Sequence, residues 1–488
     1  MPNLNLFSKY QKELINFSGP FSAIFLNLFF TPFLLSQFGI LKWSLFLLIG
    51  TLQPLSFFFS MGIPQLLFEK FPHIVNRPNQ NKKYFNEFLK LEIIYFIGSL
   101  IFFLVVFYIL KFNLNIDSVH DLNIHILLIL ISLILLFRML EFFYITILNS
   151  VQKFYTSNIS QVISSSIKWI FGYLGVIYLE WSLIQFILFN LIISIIFTIF
   201  LFIVIRIKIK LSIKNLNLKK DNLYQKTKLQ ISFFAISFFI CLTQFDKFIV
   251  LIWQNDLTFF AKYSLVLTIS SCIPMITQPL VTLYTSTINN DINRELKGQI
   301  LDSLNNLFIF IAPISIFLFF NLEIILNIWL KNIFFSNEII FTGKIFIIGF
   351  TFVSILSIFL NYFITIKKQF FFTTVGGVLF CTFVFFSYFV LKQQEIVIFS
   401  IIWVIIIFIF TLILFYSIYK NFNKKIKINF FKNILNSILK ILVLISLFYF
   451  LNVMNLSFQF NYILILAFNF CLFLSAFFIL IKYNYEKI

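Results

Sequence analysis

Acidic residues are scarce in this chain. Its 488 residues include only 18 Asp+Glu against 37 Lys+Arg, and charged residues of both signs make up 11%. A soluble protein of this length could not hide 60% hydrophobic residues, because a single core stops growing beyond roughly 250–300 residues. Histidine and cysteine are scarcer still. His73, His120 and His125 are scattered, and Cys241, Cys272, Cys381 and Cys471 all fall inside apolar segments. No CxxC and no Cys/His cluster is present, so no metal site and no cofactor are expected. An aspartate-X-aspartate motif is also absent, and the longest expected outer loop, 111–123, carries only Asp117 and Asp121 as acids. That counts against a membrane-embedded polysaccharide polymerase or glycosyltransferase. The stretch from Met1 to Glu13 is polar and lacks a cleavable apolar region, so the first apolar run is expected to be a span.

What is present is apolar sequence from end to end, with a mean hydropathy of +0.99 and 76 phenylalanines. The expected fold is an all-α polytopic membrane protein with about 14 spanning helices of about 20 residues each. The expected spans are 14–36, 43–66, 91–110, 124–150, 155–179, 182–205, 229–252, 258–287, 303–322, 339–366, 370–391, 394–419, 434–453 and 461–481. A formal charge of +19 would suggest nucleic acid in a soluble protein. Here the basic residues sit mostly between apolar runs, so nucleic acid is not an expected partner. The N-terminus, the loops after even-numbered spans and the C-terminus hold 27 Lys and Arg, against four (Lys42, Lys111, Lys331 and Lys392) in loops after odd-numbered spans. The positive-inside rule then puts both termini in the cytoplasm of a bacterial inner membrane. The most basic loop, 206–228, has eight Lys/Arg and one acid, Asp221. It reads as a topology determinant and a linker, or as a contact for anionic lipid.

An internal repeat runs through the chain. Trp43-Ser44-Leu45 and Tyr263-Ser264-Leu265 both open a span, and a proline, Pro54 or Pro274, follows each aromatic by eleven residues. The turn from Asn149 to Lys153 has a counterpart near Asn361 to Lys368. Two pseudo-symmetric six-helix bundles are expected, 1–205 and 229–420, joined by the 206–228 linker and followed by two further spans in 421–488. Both halves start on the same side, which makes the repeat parallel.

Charges inside spans point to a site, because each costs about 2.5–3.5 kcal/mol at the bilayer centre on insertion scales. The expected cavity cations are Lys168, Arg138, Lys247, Lys262 and Lys344, and the anions are Glu141 and Asp246, both candidates for ion coupling. A shared cavity would carry about +3 and draw an anion such as a phosphate or diphosphate. Arg138 and Glu141 are three apart on one helix face and can pair. Asn158, Gln161, Ser165, Lys168, Gly172 and Gly175 follow helical spacing, as do Ser264, Thr268, Ser271, Met275, Gln278, Thr282 and Thr285. Asn158, Gln161, Ser165, Thr268, Ser271 and Gln278 are the expected polar lining. The competing reading of such positions is helix packing, where small and polar residues also gather. Pro20, Pro32, Pro54, Pro64, Pro274, Pro279 and Pro313 are expected to break spans and provide bend points.

Two stretches resemble the polysaccharide flippases of the multidrug/oligosaccharidyl-lipid/polysaccharide (MOP) superfamily, especially O-antigen (Wzx-type) flippases. One is Gln244-Phe245-Asp246-Lys247-Phe248-Ile249 with Phe260-Ala261-Lys262-Tyr263-Ser264-Leu265. The other is Leu148-Asn149-Ser150-Val151-Gln152-Lys153, where Ser150 replaces the family's usual glycine. The resemblance implies two six-helix bundles that open alternately to either side of the membrane. It implies an undecaprenyl-diphosphate-linked oligosaccharide as substrate, moved to the periplasmic leaflet, with Arg138, Lys168 and Lys247 as cavity cations. Expected partners are that lipid-linked oligosaccharide, membrane lipid, a polysaccharide polymerase and a chain-length regulator. The alternative within the superfamily is a multidrug or small-molecule exporter.

Overall fold

The computed structural model describes residues 3–60, 62–64, 67, 81–113, 123–151, 153–208, 244–254, 256–277, 296–331, 333–365, 368–393, 395–420 and 445. The two spans expected in 421–488 and the 209–228 part of the linker lie outside the described residues. The described chain is helical, and nine of its helices are long and apolar enough to cross a membrane. It is a multi-pass membrane protein.

The helices are α1 (Asn3–Leu52), α2 (Leu55–Phe59), α3 (Asn81–Asn113), α4 (Ile124–Ser150), α5 (Phe154–Ser166), α6 (Gly172–Tyr178) and α7 (Leu183–Lys208). They continue with α8 (Asp246–Gln254), α9 (Leu257–Ser270), α10 (Leu296–Trp329), α11 (Asn337–Thr365), α12 (Gln369–Lys392) and α13 (Ile396–Lys420). The apolar part of α1, Ser18–Leu52, would be roughly 50 Å long if straight, against a hydrocarbon core of about 30 Å. It holds two stretches that meet at Gly39, whose φ of 77° and ψ of 163° suit a residue with no Cβ. The break is made by this glycine, and α1 runs on through Pro20 and Pro32, as α10 does through Pro313. The expectation that these three prolines break spans is therefore corrected. In lipid, neighbouring helices and side-chain hydroxyls compensate the lost backbone bond, so a proline need not end a span.

Contacts divide the chain into two compact units, Met1–Ala261 with Gln369–Thr374, and Lys262–Lys368 with Val375–Ile488. In the first unit α4 packs on α3 and α7, and α1 packs on α5. In the second, α11 packs on α10 and α13. Aromatic side chains fill both cores. Trp43 is buried against Phe46, with ring centroids 4.7 Å apart, and Phe46 leans on Phe186 of α7 at 5.5 Å. In the second unit Trp403 of α13 meets Phe346 of α11 at 4.7 Å, next to buried Tyr263. Gly349 permits that approach, since a Cβ there would lie 2.2 Å from the Trp403 ring.

Candidate functional site

The first unit gathers three of the expected charges in one place. Lys168 Nζ lies 3.7 Å from Glu141 Oε2, and their side chains are 12% and 13% exposed. Arg138, one turn before Glu141 on α4, donates from Nη1 to Gln53 Oε1 at 3.1 Å. It also interacts electrostatically with both Glu141 and Lys168. The site is thus a chain of four side chains, Gln53, Arg138, Glu141 and Lys168, with two positive charges and one negative. Arg138 and Glu141 share a face as their spacing requires, but the short polar contacts run outwards from them, to Gln53 and Lys168. Gln53 was not identified from sequence. It sits in the turn between α1 and α2, just before Pro54, where the chain leaves its helical path and frees a side chain to reach α4.

Lys168 stands in an unusual piece of backbone. Between α5 and α6 the helix widens into a single π-turn, Ile167–Phe171. Such turns are rare, and they are frequent at functional sites. At 1.5 Å per residue, Lys168 is roughly 20 Å from Phe154 and 15 Å from Tyr178, near the middle of its span. The π-turn also corrects the single polar face expected from Asn158 to Gly175. Before it, the stripe faces α1. A Cβ on Gly19 would lie 2.5 Å from Asn158 Oδ1 and 2.9 Å from Gln161 Oε1, and Ser22 Oγ meets Ser165 Oγ at 3.5 Å. After it, Gly172 lies under Phe186 and Gly175 under Trp181, where a Cβ would come within 2.7 and 2.2 Å. The extra residue in the turn shifts the phase, so α-helical spacing does not carry across it. Asn158 is buried and donates to the Phe154 carbonyl at 2.9 Å. Asn158, Gln161 and Ser165 thus lie close to α1.

The remaining expected residues fall in both units. Asp246, in the first turn of α8, is buried, and Lys247 is half-buried beside it. Both belong to the first unit. Lys262 and Lys344 are half-buried residues of the second unit. There Thr268 bonds the Ser264 carbonyl at 2.8 Å and Ser271 the Thr268 carbonyl at 3.1 Å, both within α9 and its extension. Gln278 lies outside the described residues. Among the described residues no group of His, Cys, Asp and Glu has metal-binding geometry.

A second charged cluster, also missed from sequence, lies within the first unit. Arg206 Nη2 meets Glu92 Oε2 at 2.5 Å, Tyr144 donates to Glu92 Oε1 at 3.0 Å, and the Arg206 guanidinium stands 4.8 Å over the Phe202 ring. These contacts tie α3, α4 and α7 together. Glu92 was open to notice, since it falls inside the apolar run expected at 91–110.

No protein-family model matches the sequence, and no curated protein sequence does either. Solved structures do match. A lipid II flippase, MurJ, in an inward closed conformation is 17% identical, with a TM-score of 0.60 over 99% of both chains. A MATE transporter in complex with MaL6 is 10% identical, with a TM-score of 0.57, covering 83% of this chain and 96% of its own. A MOP superfamily transporter from Pyrococcus furiosus, also 10% identical, matches with a TM-score of 0.57 over 88% and 95%. The chain therefore has the fold of MOP superfamily transporters.

Proposed function

We propose that this protein is a flippase for a lipid-linked oligosaccharide, and not an enzyme. On this reading it carries an undecaprenyl-diphosphate-linked repeat unit of a surface polysaccharide, such as O-antigen, from the cytoplasmic to the periplasmic leaflet of a bacterial inner membrane. The observation that carries the reading is the pair of cations, Lys168 and Arg138, converging on one carboxylate in mid-span. Leaving such charges in lipid is costly, and helix packing does not need them. The likeness to a lipid II flippase over 99% of both chains supports the same class of cargo.

The chemistry required is binding without bond making. A diphosphate arriving at the site exchanges its water for charge-assisted hydrogen bonds from Lys168 and Arg138, roughly twice as strong as neutral ones. Glu141 is the counterion these cations hold when the substrate is absent. At 3.7 Å the Lys168–Glu141 pair is wider than a hydrogen bond, so an anion can compete for the ammonium. Gln53 holds the Arg138 guanidinium by one of its donors and leaves others for the ligand. Lys247 is a further cation of the first unit, Lys262 and Lys344 are the cations proposed for the second, and Glu141 and Asp246 are the groups that would exchange a coupling ion as the transporter resets. The lipid tail stays in the bilayer, and the headgroup crosses chemically unchanged.

The second reading, export of small molecules, is favoured by the MATE structures among the matches. Purified protein in proteoliposomes separates the two. Flipping of a polyprenyl-diphosphate-linked glycan, with no efflux of cationic dyes, is the expected result. Dye efflux without glycan flipping would replace this reading by the second. Cytoplasmic termini are tested by reporter fusions at residues 115 and 215, which should report opposite sides of the membrane.

A further inference from the structure

An apolar groove of about 520 Å³ opens on the first unit beside the π-turn. Ile167, Phe171, Leu174, Tyr178, Trp181 and Phe189 line it. Its volume is that of a small-molecule site, and none of these six side chains is charged. Trp181 and Phe189 pack against each other at 5.2 Å and hold one wall. Tyr178, 76% exposed, and Trp181 lie at the end of the span, and rings of this kind gather at the headgroup level of a membrane. The groove therefore has its mouth among headgroups and its body among hydrocarbon tails.

Glu180 stands in sequence between the lining residues Leu179 and Trp181, exposed, with a φ of 52°. Glycine is the unstrained residue for that backbone, so the turn itself does not account for a glutamate there. From Trp169 to Ile205 the chain has no Lys or Arg, and nothing on this stretch would receive an anionic headgroup.

We propose that the groove binds one acyl chain of a phospholipid whose headgroup ends in an ammonium, with Glu180 receiving that ammonium. The bound chain acts on the transport site through contact. Ile167 and Phe171 are the first and last residues of the π-turn that holds Lys168, so a chain packed against both supports the register in which Lys168 reaches Glu141. Lipid composition is then a control on the site, separate from the cargo.

The test uses full-length protein in bilayers containing either phosphatidylethanolamine or phosphatidylglycerol with brominated acyl chains, at equal mole fraction. The readout is quenching of the Trp181 fluorescence, isolated by subtracting the Trp181→Phe variant. Quenching several-fold stronger with brominated phosphatidylethanolamine is expected, and Glu180→Gln should abolish the difference. Glu180→Gly, which fits the backbone without strain, should behave like Glu180→Gln. Equal quenching by the two lipids in the unaltered protein would overturn the headgroup preference. Lack of any Trp181-specific quenching would overturn occupancy of the groove, and a preference that survives in both Glu180 variants would overturn the role of the carboxylate. None of these outcomes depends on what the protein transports.

Discussion

α4 and α11 are the central helices of their units, each packed on the helix before it and on a later one, and they differ in what they present to those neighbours. Ile124 and Asn337 open the two helices, and the same spacing sets Arg138 opposite Thr351 and Glu141 opposite Ser354. Where α4 has charges, α11 has hydroxyls. Ser315 and Thr351 share a hydrogen bond of 2.7 Å, and Thr277 donates to Ser354 at 3.1 Å. The next helices differ in the same way. Phe154 and Gln369 open them, which sets Lys168 opposite Phe383, a buried ring 5.5 Å from Phe399. In the second unit these positions pack with hydroxyls and a ring, which is the ground for reading the Arg, Glu and Lys of the first unit as more than packing.

The largest expected effect comes from removing charge on one side and ring on the other. Lys168→Ala should abolish surface glycan at normal protein abundance, because Arg138 remains beside Glu141 as its counterion. Lys168→Arg should keep part of the activity. Phe383→Ala should do the reverse, costing about 3–5 kcal/mol of stability through the cavity left behind, with transport per surviving molecule unchanged. Immunoblots paired with glycan staining separate abundance from activity. If both variants lose abundance and neither loses specific activity, the two units are equivalent and the comparison fails.

Glu92→Ala sharpens the comparison inside the first unit, where one charged cluster is proposed to bind and the other to hold helices together. Removing the carboxylate that holds both Arg206 and Tyr144 should destabilise the protein. A lowered thermal midpoint with an unchanged flipping rate per folded molecule is the expected result, and loss of flipping at an unchanged midpoint would move Glu92 into the transport site. The smallest effects belong to the hydroxyl contacts. Thr351→Val and Ser354→Ala should each cost about 0.6 kcal/mol, the mean for hydrogen bonds between membrane helices, and leave transport intact. A tenfold drop in flipping from either would show that the second unit's seam also serves the cargo.

The apolar runs pointed to the helices that are long and apolar enough to span among the described residues, and the excess of basic residues between them is the ground for the proposed side of each loop. Lys168, Arg138 and Glu141 could be singled out because a charge in lipid needs a reason. Their partners could not. Pairing Arg138 with Glu141 follows from α-helical spacing on one helix, whereas Gln53 reaches α4 from the turn after α1 and Lys168 from the π-turn of the next span. The π-turn escaped for a related reason: the residues Ile167 to Phe171 are ordinary helix formers, and a one-residue shift in phase leaves no mark in composition. The polar stripe of α5 looked continuous with Gly172 and Gly175 because six positions happen to fit the α-helical period, although the chain beneath them does not keep it.

The central claim is that the Lys168 charge in the first unit binds the anionic part of the cargo. The most direct measurement is the flipping rate of a polyprenyl-diphosphate-linked glycan in proteoliposomes containing the double variant Glu141→Gln/Lys168→Met. This variant removes both charges of the pair and leaves Arg138 held by Gln53 Oε1, so the amount of reconstituted protein is measured beside the rate. The expected rate is that of empty liposomes, with Lys168→Arg alone giving an intermediate rate. Flipping by the double variant at the rate of the unaltered protein would contradict the claim.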